Sequence, residues 1–471
     1  MNLINKRYSF SLGEGREEVV YFIGIGGIGM SALARFFQAS GIKVSGYDKT
    51  PTALTRELEA SGIAVHYEEN VEVLPKDAGL VVYTPAVPAG HRELLYYREN
   101  GYKVVKRSDV LQLVTAGSFN ICIAGTHGKT TITTMTAHLL RDSGFGCNAF
   151  LGGIAVNYGS NCWSSERNVC VIEADEYDRS FLKLSPDIAV ITAMDADHLD
   201  IYGTATAMED AFIDFSKAVK PGGLLVSQFG LKRGKELKAD QHLTYSLQNE
   251  SADLYAANIR MSNGSYEFDV VVKEEVIENV RLNMGGMHNV ENAVAAIAIA
   301  RSLGIEKEKI KAAVENFRGV KRRFEYILKN ERIVFIDDYA HHPEELRALI
   351  NGAKSLFRQK KCTVLFQPHL YSRTRDLAAG FAEVLDGADE VILLPVYPAR
   401  ELPIEGVNSE MILERMKNEH KAVMGKEELL RWVKEQYAAT LNREFGEVLI
   451  TAGAGDIDGL LEPIRNILKE L

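Results

Sequence analysis

One recurring unit restricts this fold more than any other feature: an apolar run, a glycine-rich or polar turn, then a segment of helical periodicity. "VVYFIGIGGIG" opens the first unit, and the amphipathic "MSALARFFQASG" follows it. "VSGYD" and "AGLVVYTPA" read as the next buried strands. The pattern restarts at residue 119 with "FNICIAGTHGKT" and helical "TITTMTAHLLRDSG", which Gly144 can terminate. Later strands read "NVCVIEAD", "DIAVIT" and "GGLLVS"; a more alternating, hairpin-like patch covers about 241–283, before the helix "NVENAVAAIAIARSLG". A third set runs from "RIVFIDDYAHHPEEL" through "KCTVLFQPH" and "EVILLPV" to "EVLITAGAGD". Strand signals alternating with helix signals require parallel, doubly wound sheets. The 471 residues accommodate about three domains of roughly 150 residues each. The expectation is an α/β chain of three domains, at 1–112, 113–325 and 326–471.

Bulk properties exclude several function classes. The net charge of −10 argues against nucleic acid or an anionic membrane as a partner, so anionic substrates need local sites. No apolar run approaches the ~20 residues of a membrane span. The first residues, "MNLINKRYSFSLGEGREEV", lack the apolar stretch of a signal peptide. The five cysteines (122, 147, 162, 170, 362) form no C-x-x-C pair, as expected of a reduced, cytoplasmic, zinc-free protein.

Two glycine loops carry phosphate chemistry. Gly24, Gly26 and Gly29 satisfy G-x-G-x-x-G between a strand and a helix, with Gly27 inside the loop and Asp48 19 residues beyond Gly29, where a dinucleotide fold places its ribose acid. Taken alone this suggests NAD and a dehydrogenase. The physics is broader: a helix N-terminus reached closely by backbone binds any pyrophosphate, and UDP serves as well as NAD. The second loop, "AGTHGKTT", ends like a P-loop, but its first glycine is Gly125 and position 123 is Ile123, so the spacer is two residues short. Gly125 and Gly128 still let backbone N–H groups face a phosphate. Lys129 can reach the β- and γ-phosphates, and Thr130 can put its hydroxyl on Mg²⁺.

Other candidates lie at strand ends. Glu173 closes the apolar "VCVIEAD", where a carboxylate is costly without a partner. His198 follows the next strand, and Asp195, Asp197 and Asp200 beside it read equally well as loop acids or helix caps. Asn289 and Asn292, spaced i, i+3, share a helix face and can read an adenine edge, although Asn289 also suits a cap. Arg322 and Arg323 occupy the second presumed linker. "DDYAHHPEE" and "QPHLYSRTRD" both follow strands, at the edge where open α/β sheets bind ligands. His341, His342 and Glu344 alone are weak support for a transition-metal site.

Read together, "GIGGIGMS", "AGTHGKTT", "EADEYDRSF", "DADHLD", "MHNVENA", "KRRFE", "DDYAHHP", "FQPHLYSRTRD" and "TAGAGD" resemble the Mur ligase family, in family order over nearly the whole chain. The shortened loop is that family's own form. The resemblance implies a Rossmann-like UDP-binding domain, a P-loop ATPase-like central domain and a Rossmann-like C-terminal domain. It also implies ATP and Mg²⁺ as cofactors, with UDP-N-acetylmuramate and L-alanine as substrates. The implied reaction activates a carboxylate as an acyl phosphate, which an amino acid amine then attacks. It assigns Gly24, Gly26, Gly27, Gly29 and Asp48 to the UDP substrate. Gly125, Thr126, His127, Gly128, Lys129, Thr130 and Thr131 fall to ATP, with Asn289 and Asn292 at adenine and Arg323 and Asp338 reaching the nucleotide. Thr130, Glu173 and His198 would hold metal. Tyr339, His341, His369 and Arg373 would take the amino acid and the incoming acyl group. A monomer or weak homodimer is the implied state.

One departure stands out. Many relatives read His-Arg-Tyr after "FQP"; this chain has His369-Leu370-Tyr371. One cation near the amino acid carboxylate is missing, and Arg373 or Arg375 must serve. A relative adding another amino acid or a recycled peptide is the near alternative, and a dehydrogenase the distant one.

Overall fold

A computed structural model describes residues 19–177, 179–196, 199–273, 275–399 and 401–471. Two compact units divide the chain: Met1–Ala257 with Asp269–Glu278 and Glu291–Val314, and Asn258–Phe268 with Asn279–Val290 and Glu315–Leu471.

The N-terminal sheet is parallel throughout, in the order Ala64–His66, Lys43–Tyr47, Val19–Ile23, Leu80–Tyr83, Val104–Lys106. Every residue of Val19–Ile23 is buried, which explains an apolar run without alternation: helices cover both faces of a parallel sheet. Helix Ile28–Ala39 buries Met30, Leu33, Phe36 and Phe37. Each such side chain contributes about 1.5–3 kcal/mol through burial. Strand order reverses on either side of Val19–Ile23, so its C-terminal glycine loop opens at the switch point where such sheets bind ligands.

The middle sheet has ten strands. Phe119–Ala124 lies between Val169–Glu173 and Ile188–Ile191, parallel to both. Its register pairs Ile123 with Glu173 and Ala124 with Ile191, bringing three C-terminal strand ends to one edge. The hairpin reading of 241–283 holds only in part. Gln241–Ser246 pairs in parallel with Leu224–Gln228 and with Leu254–Ser262. Beyond it, Leu254–Ser262 and Ser265–Val272 are sheet neighbours joined through Asn263 and Gly264, at φ 47° and 72°. Two successive left-handed residues suit a tight hairpin turn.

The C-terminal sheet runs Glu325–Lys329, Ile333–Asp338, Glu447–Ala452, Lys361–Phe366, Glu390–Leu393, Lys421–Val423. Only its first pair is antiparallel. Its central strands carry Phe335, Leu365 and Leu449 into a core with Trp432, Tyr437 and Ile464.

Candidate active site

The shortened loop leaves strand Phe119–Ala124 and enters helix Lys129–Asp142. Its glycines are sterically required. A Cβ on Gly125, at φ 127°, would lie 2.1 Å from Thr192 Oγ1. A Cβ on Gly128, at φ 78°, would lie 2.9 Å from Asn292 Oδ1. The neighbouring strand end holds the loop: Thr126 N donates to Ala193 O at 3.2 Å, and Thr192 Oγ1 donates to His127 O. His127 lies 3.5 Å from Asp195, both largely exposed. Thr131 is buried on the helix, while Thr133 and Thr134 hydroxyls bond back one turn, which suits threonines inside a helix.

Lys129 Nζ donates to Gly125 O and to Glu176 Oε1, each at 2.6 Å. Glu176 is 1% exposed, and burial raises its proton affinity while Lys129 opposes the rise. Thr130 Oγ1 donates to Glu173 Oε1 at 3.0 Å, and Gly152 N donates to Glu173 Oε2 at 3.1 Å. A Cβ on Gly152 would meet the Glu173 carboxylate at 2.3–2.4 Å, so a larger residue there must displace that carboxylate. The costly strand-end acid therefore has the partners its burial requires. His198 lies outside the described residues, as does Asp197.

Helix Met287–Ser302 carries both asparagines. Asn289 turns its amide nitrogen to Gly285 O at 2.6 Å, whereas Asn292 comes up to the Gly128 loop. They share a helix and do different local work.

The first glycine loop forms a bare helix N-terminus. Gly27 is the N-cap of helix Ile28–Ala39 and supplies no side-chain cap. Gly24 has φ 85°. Asp48 accepts from Gly26 N at 2.8 Å and from Thr50 N at 3.2 Å, so the acid expected at a ribose also braces the loop. Arg107, absent from the sequence expectations, crosses Gly29: a Cβ there would lie 2.7 Å from Arg107 Nη1. Its Nη2 is 3.4 Å from Asp175 Oδ2. A cavity of about 310 Å³ extends from Gly27 and Gly29 past Arg107 to Gly152, Glu173 and Asp175. The first glycine loop thus opens on a space that reaches Glu173, the partner of Thr130 in the second loop.

In the second unit, Arg322 and Arg323 separate in role. Arg322, at φ 61°, donates to Gly453 O and lies 3.4 Å from the fully buried Asp337. Arg323 is exposed. Asp338 accepts from Phe324 N and Ala340 N, each at 2.7 Å, and burial lifts its carboxyl to about 6. This acid ties the linker to the strand end. Tyr339 and His341 rings lie 5.3 Å apart, and His341 and His369 rings 6.2 Å apart. Arg373 Nη1 donates to His369 Nδ1 at 3.1 Å. Burial, then Arg373 and His341, push His369 down to about 4, so its imidazole is neutral near pH 7. His369 stacks on Tyr397 with ring centres 5.8 Å apart. His341 and His342 amides donate to Glu345 Oε2, at 2.8 and 3.0 Å, so "HHPEE" is a helix start. Among the described residues no group of three His, Cys, Asp or Glu side chains could hold a metal ion.

Helix Tyr371–Leu385 begins at Leu370, with φ 69° and no capping side chain. Glu401 supplies the acceptor instead, for Ser372 N at 2.9 Å and for the Ser372 hydroxyl. Sequence reasoning missed Glu401, Glu176 and Arg107. Glu176 offered a signal, as a second glutamate three residues past Glu173; Glu401 is an ordinary loop charge and Arg107 an ordinary charge at the start of helix Arg107–Thr115.

Residues 19–118 match the Mur ligase family catalytic domain, 123–300 the Mur ligase middle domain and 322–455 the Mur ligase glutamate ligase domain. The chain is 48% identical over 458 residues to the UDP-N-acetylmuramate–L-alanine ligase of Phocaeicola vulgatus, covering 96% of this chain and 98% of that one. It is 49% identical to the Parabacteroides distasonis enzyme of the same name, covering 95% and 97%. The crystal structure of the UDP-N-acetylmuramate-alanine ligase MurC of Thermotoga maritima superposes with a TM-score of 0.79 at 29% identity, covering 96% of this chain and 98% of that one. Three matched domains in order, together with relatives near half identity over almost the full length, place this chain in the Mur ligase family.

Proposed function

We propose that this chain joins L-alanine to UDP-N-acetylmuramate, converting ATP to ADP and phosphate, in peptidoglycan precursor synthesis. The names of its near-half-identical relatives support the reading. The observation that carries it is the single cavity linking the bare N-terminus of Ile28–Ala39 to Glu173 beside the ATP-type loop. A helix N-terminus holds a pyrophosphate. The muramate carboxylate then extends past Arg107 toward the γ-phosphate.

A muramate carboxylate oxygen attacks the γ-phosphorus, the bond to the β-bridging oxygen breaks, and ADP leaves. The neutral amine of alanine attacks the resulting acyl phosphate carbon. Phosphate departs, and the amine loses one proton as the amide forms. No enzyme nucleophile is needed; positioning and charge neutralisation suffice. Lys129, now on Glu176, turns to the phosphates. Gly125, Thr126, His127, Gly128, Thr130 and Thr131 surround them. Asn289 and Asn292 serve adenine, with Arg323 and Asp338 completing the nucleotide site. Gly24, Gly26, Gly27, Gly29 and Asp48 hold UDP. Tyr339, His341, His369 and Arg373 take alanine, with the neutral His369 leaving the cationic role to Arg373.

Thr130 and Glu173, two oxygen donors 3.0 Å apart, fit Mg²⁺, which favours few protein oxygens plus phosphate and water. His198 completes the metal set in this proposal. When bound, the ion neutralises phosphate charge. The three-domain partition at 1–112, 113–325 and 326–471, a monomeric or weakly dimeric state and a cytoplasmic location belong to the same reading. No described helix is long and apolar enough to cross a membrane.

The test is ADP formation measured with each substrate withheld in turn. Turnover only when UDP-N-acetylmuramate and L-alanine are both present supports the proposal; turnover with a peptide in place of alanine, and none with alanine, would favour the peptide-recycling alternative.

A further inference from the structure

A second cavity lies away from this chemistry. It measures about 1160 Å³ and belongs wholly to the second unit. It opens at the N-terminal ends of Ile333–Asp338, Lys361–Phe366 and Glu447–Ala452. The opposite ends lead to Tyr339, His369 and Gly453. Six strand residues span about 20 Å, so the two edges are separate places.

Its charge is anomalous. Arg260, Lys329, Arg358 and Lys360 line it against one acid, Glu331, in a chain of net charge −10. None of the four forms an ion pair with a described carboxylate, unlike Arg35, Lys129, Lys220, Arg301 and Lys361. Lys360 is half-buried and Lys329 exposed, yet each ammonium is held by groups of the protein. Lys329 Nζ sits 3.4 Å from Gly264 O and 4.7 Å from the Tyr326 ring centre, and burial and Arg281 lower its proton affinity. Lys360 Nζ donates to Glu331 O at 2.6 Å and Phe445 O at 2.8 Å, and burial lowers its proton affinity also. Lys329 thus has a carbonyl and a ring as partners and Lys360 two carbonyls, and an ammonium without a carboxylate partner is ready to take an anion.

Two left-handed glycines make this approach possible. A Cβ on Gly446, at φ 73°, would lie 2.4 Å from Lys360 Nζ. A Cβ on Gly264, at φ 72°, would lie 3.1 Å from Lys329 Nζ and 2.4 Å from Phe357. At the rim Met261 and Phe445 are 39% and 40% exposed, offering apolar surface beside the cations.

We propose that this cavity is a second ligand site, for a phosphate-bearing small molecule with an aromatic or apolar body. The phosphates meet Lys329, Lys360, Arg260 and Arg358, and the body lies on Phe445 and Met261. A ligand there bridges the Arg260–Gly264 turn and the start of the C-terminal sheet, so it acts on the edge opposite the amino acid site.

Lysine acylation read residue by residue by mass spectrometry tests this on the full chain, with inorganic pyrophosphate and uridine diphosphate as probes. Both probes should protect Lys329 and Lys360, uridine diphosphate at lower concentration. At about ten times the Kd, mass action leaves roughly one site in eleven free, so acylation should fall about tenfold. Arg260→Glu with Arg358→Glu should remove that protection while Lys129, in the phosphate loop, stays protected. Unchanged acylation of Lys329 and Lys360 beside a protected Lys129 would overturn the proposal, and equal potency of the two probes would overturn its aromatic part. Loss of protection at Lys129 alone would count against the ATP-loop reading instead. Should the double variant misfold, the wild-type footprint still decides.

Discussion

The proposed phosphate end of the first unit and the proposed amino acid end of the second are built in opposite ways. At the phosphate end, backbone geometry sets the site: Gly125, Gly128 and Gly152 each sit where a Cβ would collide. Polar partners are already at hydrogen-bond distance, 3.0 Å for Thr130 with Glu173 and 2.6 Å for Lys129 with Glu176. At the proposed amino acid end, rings stand 5.3–6.2 Å apart, with Arg373 on His369 and Arg322 over Tyr339. There the strained residue is Leu370, at φ 69°, and the cap comes from Glu401 on a distant loop. At the first end a side chain on any of three glycines must displace a neighbour; the second is an assembly of side chains. Deep losses should therefore follow from small changes at the phosphate end, and graded ones from changes at the amino acid end.

The largest effect should come from Glu173→Ala, which should abolish ligation with the fold intact, because uncompensated phosphate charge costs several kcal/mol. Gly152→Ala, adding one methyl group against the Glu173 carboxylate, should come close, at about 10²–10³-fold in kcat. Steady-state rates with circular dichroism check both, and near-normal turnover in Gly152→Ala would mean that the carboxylate moves freely. Arg373→Ala comes next. Leaving a desolvated carboxylate poorly paired costs about 2–5 kcal/mol, or about tenfold in the KM for alanine per 1.4 kcal/mol, with the KM for ATP nearly unchanged. Arg373→Lys should recover only part, lacking the planar fork. An effect on ATP that spares alanine would move Arg373 to the phosphates.

A smaller effect is expected at Leu370. Glycine adopts its backbone conformation without strain, so Leu370→Gly should raise the melting temperature, by relief of about 1 kcal/mol. Leu370→Arg should be tolerated or should tighten alanine binding. Smallest is the pH effect of His369. Its folded pKa is depressed to about 4, below its ordinary value near 6.5. The folded state binds fewer protons across that window, so this group's contribution is complete above about pH 6.5 and is lost as pH falls toward 4. Melting curves of His369→Asn should show a shallower acid-side decline than the wild type. An identical decline would place the titration elsewhere.

The same contrast explains what was legible in the sequence. The doubly wound sheets were, because fully buried parallel strands such as Val19–Ile23 read as unbroken apolar runs. The phosphate loop was, because left-handed backbone and close approach force glycine at Gly125 and Gly128. Glu173 was, because an acid on an apolar strand needs a reason. Arg107 and Glu401 were not, since their roles depend on distant partners: Arg107 lies over Gly29, and Glu401 caps a helix begun by Leu370. Gln241–Ser246 misled because alternation does not reveal strand direction, and the chain returns to pair in parallel.

In the proposed reaction the cavity that ends at Glu173 delivers the substrate carboxylate to the γ-phosphate of ATP. UDP-N-acetylmuramate carrying heavy oxygen in its carboxylate tests this most directly, with released phosphate analysed by mass spectrometry. One heavy oxygen in each phosphate released with amide formation is the predicted result. Phosphate free of label, formed at the rate of ligation, would contradict the account.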